Sequence, residues 1–241
     1  MDRKRFVALG FATAAMAVMF ALPPAALGGP PLICHPLDIG GAKSLPWSSH
    51  TWNLSGKEDY DVGRLVADTL ALLTPSTSVI VRMETLRRAT LYAQKDPRVA
   101  KELVLKLRAR AQEGEAKVHP DALTLFDFGY LIECYKQANW TFVKKGNQEW
   151  ETVEQPSAAM GLDGYAWVEK AISLRGQDPE MEFAAAIITV SPHQKSHDEH
   201  LRKAVAGAAD GSLLAKNLVL HFGDQGSTIA QLRAKFGGAR N

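Results

Sequence analysis

The strongest constraint on this chain is a succession of helix-length apolar patterns, each closed by a proline or glycine break, from Tyr60 almost to the end. Val62, Leu65, Val66, Thr69, Leu70 and Leu73 recur at helical spacing and stop at Pro75. Val79, Ile80, Met83, Leu86, Thr90 and Ala93 form a second stripe, with Arg82, Arg87 and Arg88 placed largely off it. Asp96-Pro97 then restarts the chain, because Asp caps a helix and Pro fits its first turn. Val99, Leu103, Val104 and Leu107 continue to about Gln112, and a fourth helix runs from Pro120-Asp121 to Tyr135.

Later segments repeat the rhythm. Helices are expected at 159–175, from Asp178-Pro179 to Ser191-Pro192, at 197–208 and at 212–222, with a short last one from Thr228 to Gly237-Gly238. One stretch breaks it. Trp140-Thr141-Phe142-Val143 and Glu149 to Val153 are β-prone around the turn residues Lys145-Gly146-Asn147, so a small β-hairpin near 140–153 and a long loop are both open there. The fold class is therefore all-α, built from antiparallel helix pairs, as either an irregular bundle or a solenoid. The two Asp-Pro breaks lie 82 residues apart. This helix–break–helix echo is similar to tetratricopeptide-like or HEAT-like arrays, whose characteristic repeat residues are absent.

Residues 1–28 read as a signal peptide. Asp2-Arg3-Lys4-Arg5 opens it, Phe6 to Leu22 is uncharged and apolar, and Ala26-Leu27-Gly28 places small residues at a cleavage site. The alternative is an uncleaved anchor; otherwise no transmembrane span is expected. The chain should be exported, to a periplasm or the extracellular space. Of 28 basic and 26 acidic residues in 241, the leader holds three and one, so the remainder is formally neutral. A neutral body gives no electrostatic case for nucleic acid.

Residues 29–58 form an irregular arm, punctuated by Gly29-Pro30-Pro31, Gly40-Gly41, Pro46 and Gly56. Leu32, Ile33, Leu37, Ile39, Leu45, Trp47 and Trp52 are too apolar for a solvated tail, so the arm should lie across the helical domain of 59–241. The two cysteines, Cys34 and Cys134, are expected to pair in an oxidising compartment and pin the arm to a helix.

Candidate sites are few. His193, His197 and His200 could meet one divalent metal, the last two from one helix face and the first from the loop before it. Ser196 and Glu199 also fit a capping box, which would leave His197 in a solvated first turn. Cys34-His35 lacks the first thiol of a haem-attachment motif, so no haem or other cofactor is expected. Trp47, Trp52, Trp140 and Trp167 could line a groove or anchor the arm to the core. Gly226-Ser227-Thr228-Ile229-Ala230-Gln231 resembles a core motif of peptidoglycan glycosyltransferases. The likeness covers six residues, the family's catalytic-glutamate signature has no counterpart, and a capped terminal helix explains them. Glu133, on an apolar helix, is the one candidate general acid for a cell-wall hydrolase.

No catalytic set emerges, and the leading expectation is a binding or scaffolding module for a protein or peptide. The alternatives are a metal carrier or metal-dependent enzyme at the histidines, and the hydrolase.

Overall fold

The computed structural model describes residues 29–48, 54, 56–138, 142–145, 149–152, 161–190 and 194–237. It is mostly helical. After a one-turn helix α1 (Pro31–Cys34) and a 3-10 turn (Val62–Arg64) come α2 (Leu65–Leu72), α3 (Val79–Ala93), α4 (Pro97–Glu115) and α5 (Ala122–Ala138). A hairpin of β1 (Phe142–Lys145) and β2 (Glu149–Thr152) follows, pairing Phe142 with Thr152 and Lys145 with Glu149. Then come α6 (Gly164–Arg175), α7 (Pro179–Ile188), α8 (Gln194–Gly207), α9 (Leu213–Phe222) and α10 (Ile229–Gly237).

Local chemistry sets most boundaries. Asp96 accepts the Arg98 N–H and Asp178 the N–H groups of Glu180 and Met181, with proline in the first turn of both helices. Asp163 and Ser212 cap α6 and α9 in the same way. Two starts differ from expectation. Helix α6 begins at its Asp163 cap, later than residue 159. Helix α8 begins at Gln194, so Ser196 lies inside it and caps nothing.

Burial divides the helices into centre and shell. All of α3 except Arg88 is buried, α5 is buried on nearly every side, and α7 is buried from Met181 to Ile188. A helix buried all round belongs to the interior. Amphipathic α4 lies outside, covering the core with Leu103, Val104, Leu107 and Ala111. At the α5–α6 crossing two glycines meet. A Cβ on Gly129 would stand 2.6 Å from the Gly164 carbonyl, and one on Gly164 would meet the Gly129 carbonyl in return. Lacking side chains, the two backbones approach within van der Waals contact.

The arm shares this core. Leu32, Ile33, Leu37, Ile39 and Leu45 are buried within the same cluster as the helices. Hydrogen bonds link Asp38 to Asn217 and Ile80 to Glu180, 179 and 100 residues apart. In a solenoid each unit touches only its neighbours; these closures are those of a bundle. Among the described residues no helix is long and apolar enough to cross a membrane.

Candidate functional site

The histidines come first. His197 is buried, contrary to a solvated first turn, because α8 starts a turn earlier and packs on α7. Its Nδ1 lies 2.8 Å from the Ala186 carbonyl, and its ring tilts against Phe222. His200 has separate partners. Its Nδ1 is 2.5 Å from Glu182 Oε2 and its Nε2 is 2.7 Å from the Tyr165 hydroxyl. The carboxylate fixes a proton on Nδ1, so in the neutral ring Nε2 accepts from the phenol. Lys203 Nζ stands 3.5 Å from Glu182 Oε1 and 3.0 Å from Glu199. Burial, then the nearby Glu169 carboxylate, pushes the Tyr165 phenol up to about 12, so it stays protonated at neutral pH. The chain Glu182–His200–Tyr165 thus ties α7, α8 and α6 together. His193 lies outside the described residues, and among those residues no group of three or more His, Cys, Asp or Glu could hold a metal.

Glu133 also has structural partners. Its Oε1 accepts the Tyr165 N–H at 3.0 Å, at the start of α6, and Lys136 Nζ at 2.7 Å. An anionic oxygen on the first free N–H groups of a helix is a cap.

The two cysteines do not form the expected bridge; both are free. The Cys34 thiol is turned back on Gly29, where φ is +101° and an added Cβ would sit 2.6 Å from the sulfur. Cys134 points into the core with a hydrogen bond to Thr90, and burial pushes both thiols above their ordinary range.

Other side chains pin the arm. They come from α3, α5 and α9, and they hold its backbone. The Leu32 N–H donates to Gln137 Oε1 at 2.7 Å, and the Leu37 N–H to Glu84 Oε2 at 3.0 Å. Arg87 Nη1 donates to the Ile33 carbonyl at 3.0 Å and Arg88 Nη1 to the Leu45 carbonyl at 2.8 Å. Asn217 accepts the Asp38 N–H and donates to the Asp38 carbonyl, each at 2.8 Å. The Tyr92 hydroxyl donates to the Pro46 carbonyl at 2.6 Å and accepts the Lys57 N–H at 2.8 Å.

One carboxylate serves two guanidinium groups beneath the arm. Glu84 is fully buried and accepts Arg87 Nε at 2.9 Å and Arg88 Nε at 2.7 Å. Both guanidinium groups lie over the Trp47 ring, at 5.4 and 5.7 Å from its centre, and Tyr92 meets that ring edge-on. Trp47 is thus an arm anchor, and Trp167 packs edge-on against Phe128. Trp52 and Trp140 lie outside the described residues.

No known protein family matches the chain, and neither a curated protein nor a solved structure shows significant similarity to it.

The helical pattern placed Arg82 and Arg87 off the apolar face; both are in fact buried, because each has a buried carboxylate to neutralise it. Glu84, Arg87 and Arg88 stand at i, i+3 and i+4, a readable pairing signal. Nothing in the sequence showed that the cluster would face the arm. A shallow depression of about 470 Å³ lies between Ser78, Arg175 and Glu180. Glu180 serves locally there, accepting the Ile80 N–H at 3.2 Å at the start of α3.

Proposed function

We propose that the chain is an exported binding protein whose helical body recognises irregular polypeptide segments. One observation carries this reading. The body holds an irregular segment through side chains of three helices, and nearly all those hydrogen bonds go to backbone N–H and C=O groups of the segment. Backbone-directed bonds hold a segment by its path, a helical turn at Pro31–Cys34 followed by irregular chain, while apolar sites between them supply selectivity. Here Leu32, Ile33, Leu37, Ile39 and Leu45 occupy those sites. Recognised segments would be neutral, Leu- and Ile-bearing and lacking long helical stretches.

The test uses a fluorescent peptide of residues 29–48. It is titrated into the wild-type chain and into a Leu37→Asp/Ile39→Asp variant, whose own arm no longer seats. Saturable binding to the variant, at least about tenfold tighter than to wild type, is expected because a tethered arm competes at high effective concentration. Absence of binding to both would end the reading.

A further inference from the structure

We infer that the partner taken by this groove is the arm of a second copy, so that the chain forms dimers by exchanging residues 29–48. The inference rests on the reading of the groove as a polypeptide site. Every contact between arm and body is non-covalent, since Cys34 and Cys134 are unbonded. Each can therefore be made equally well to another copy. The fit is already specific to this arm: Asn217 holds both the N–H and the C=O of Asp38, and Glu84 takes the Leu37 N–H. An unrelated partner would have to reproduce that pattern, whereas a second copy brings it without adaptation.

The route out of the groove is local. Trp47 pairs with Gly56 in a single antiparallel bridge, and the Tyr92 hydroxyl joins Pro46 to Lys57 on the two sides of the same reversal. Opening it leaves eight residues of sequence between Trp47 and Gly56, enough to span roughly 27 Å when extended. Exchange of an identical element then replaces the contact sets within two closed monomers with two equivalent sets between them. Its population depends on concentration, because the tethered arm competes at an effective concentration in the millimolar range.

The experiment refolds the purified chain at about millimolar and at about micromolar concentration, then measures mass by light scattering. It also mixes two tagged variants: Leu37→Asp/Ile39→Asp, with a disabled arm and an intact groove, and Arg88→Ala/Asn217→Ala, with an intact arm and a disabled groove. Expected are a wild-type dimer after concentrated refolding only, no dimer from either variant alone, and a one-to-one heterodimer from the mixture. The peptide of residues 29–48 binding the first variant shows that its groove is folded. Peptide binding with no wild-type dimer and no heterodimer overturns exchange and leaves polypeptide recognition standing. A dimer formed by the arm variant alone places the interface elsewhere and also overturns exchange. Failure of both peptide binding and dimerisation overturns the two together.

Discussion

Arg82 and Asp127 form an ion pair of 2.6 Å with both side chains buried. Arg82 also donates through Nε to the Thr77 carbonyl at 2.9 Å and through Nη2 to the Thr74 carbonyl, so the guanidinium locks the turn before α3 onto α5. Asp127 is less well served. Its Oδ1 has no hydrogen-bond partner among the described residues, and burial pushes its carboxyl up to about 6 although Arg82 pulls it down.

That carboxyl opposes His221 in the response to acid. Burial pushes the His221 imidazole down to about 4. Between pH 6 and 4 folded Asp127 keeps a proton that the unfolded chain has released, so its contribution to stability grows as pH falls. Folded His221 refuses a proton that the unfolded chain takes below about 6.5, so its contribution shrinks over the same range. Each effect is about 2 kcal/mol between pH 6.5 and 4.5, and the two have opposite signs. Asp127→Asn should therefore lose stability on acidification, and His221→Phe should gain it. Thermal unfolding at the two pH values checks this; an Asp127→Asn profile parallel to wild type would refute it.

Removing the Glu84 charge should be among the most damaging substitutions in the chain. Glu84→Gln removes the buried carboxylate that Arg87 and Arg88 share beneath the arm, at a cost of about 3–5 kcal/mol. Urea unfolding measures the loss. Hydrogen exchange should show it first at the Leu37 amide, which Glu84 accepts.

Alanine at either glycine of the α5–α6 crossing forces the helices apart. Gly129→Ala and Gly164→Ala should each cost about 1–3 kcal/mol. Gly41→Ala is the control. A Cβ at Gly41 meets nothing within 4 Å, and the change should stay within about 0.5 kcal/mol of wild type. Equal effects at positions 41 and 129 would contradict the close approach.

His200→Leu strands the buried Glu182 carboxylate with only the half-exposed Lys203 nearby, and should cost about 3 kcal/mol. Tyr165→Phe removes the hydroxyl that meets His200 Nε2, a hydrogen bond worth about 1 kcal/mol. The double variant should fall short of the sum by about 0.5 kcal/mol or more, because the two side chains touch. Strict additivity in a double-mutant cycle would argue against the hydrogen bond between them.

What the sequence made legible was local. Asp96-Pro97 and Asp178-Pro179 start helices because cap and first-turn proline act within three residues of each other, and Thr228 caps α10 through the Gln231 N–H as the spacing implied. The arm's burial was legible from its density of Leu and Ile. The charged side chains were not. Helical spacing assigns an arginine to solvent, and only a partner such as Asp127, 45 residues away, reverses the assignment for Arg82. Nor does the spacing of the histidines show that His200 meets Glu182, which belongs to another helix. The cysteine pair misled for a related reason. Pairing by compartment ignores which way each thiol faces, and Cys34 faces Gly29.

The bond between Asp38 and Asn217 also dictates an order of events. Synthesis makes Asp38 179 residues before the side chain that receives it on both sides. At ordinary ribosome speeds that is a wait of roughly ten to forty seconds. Throughout it, an apolar strip of Leu and Ile has no finished berth, and α9 must arrive before the last backbone groups of the arm are satisfied. The arm is thus completed only when α9 arrives, and a nascent molecule truncated before α9 would leave both backbone groups of Asp38 without the Asn217 side chain.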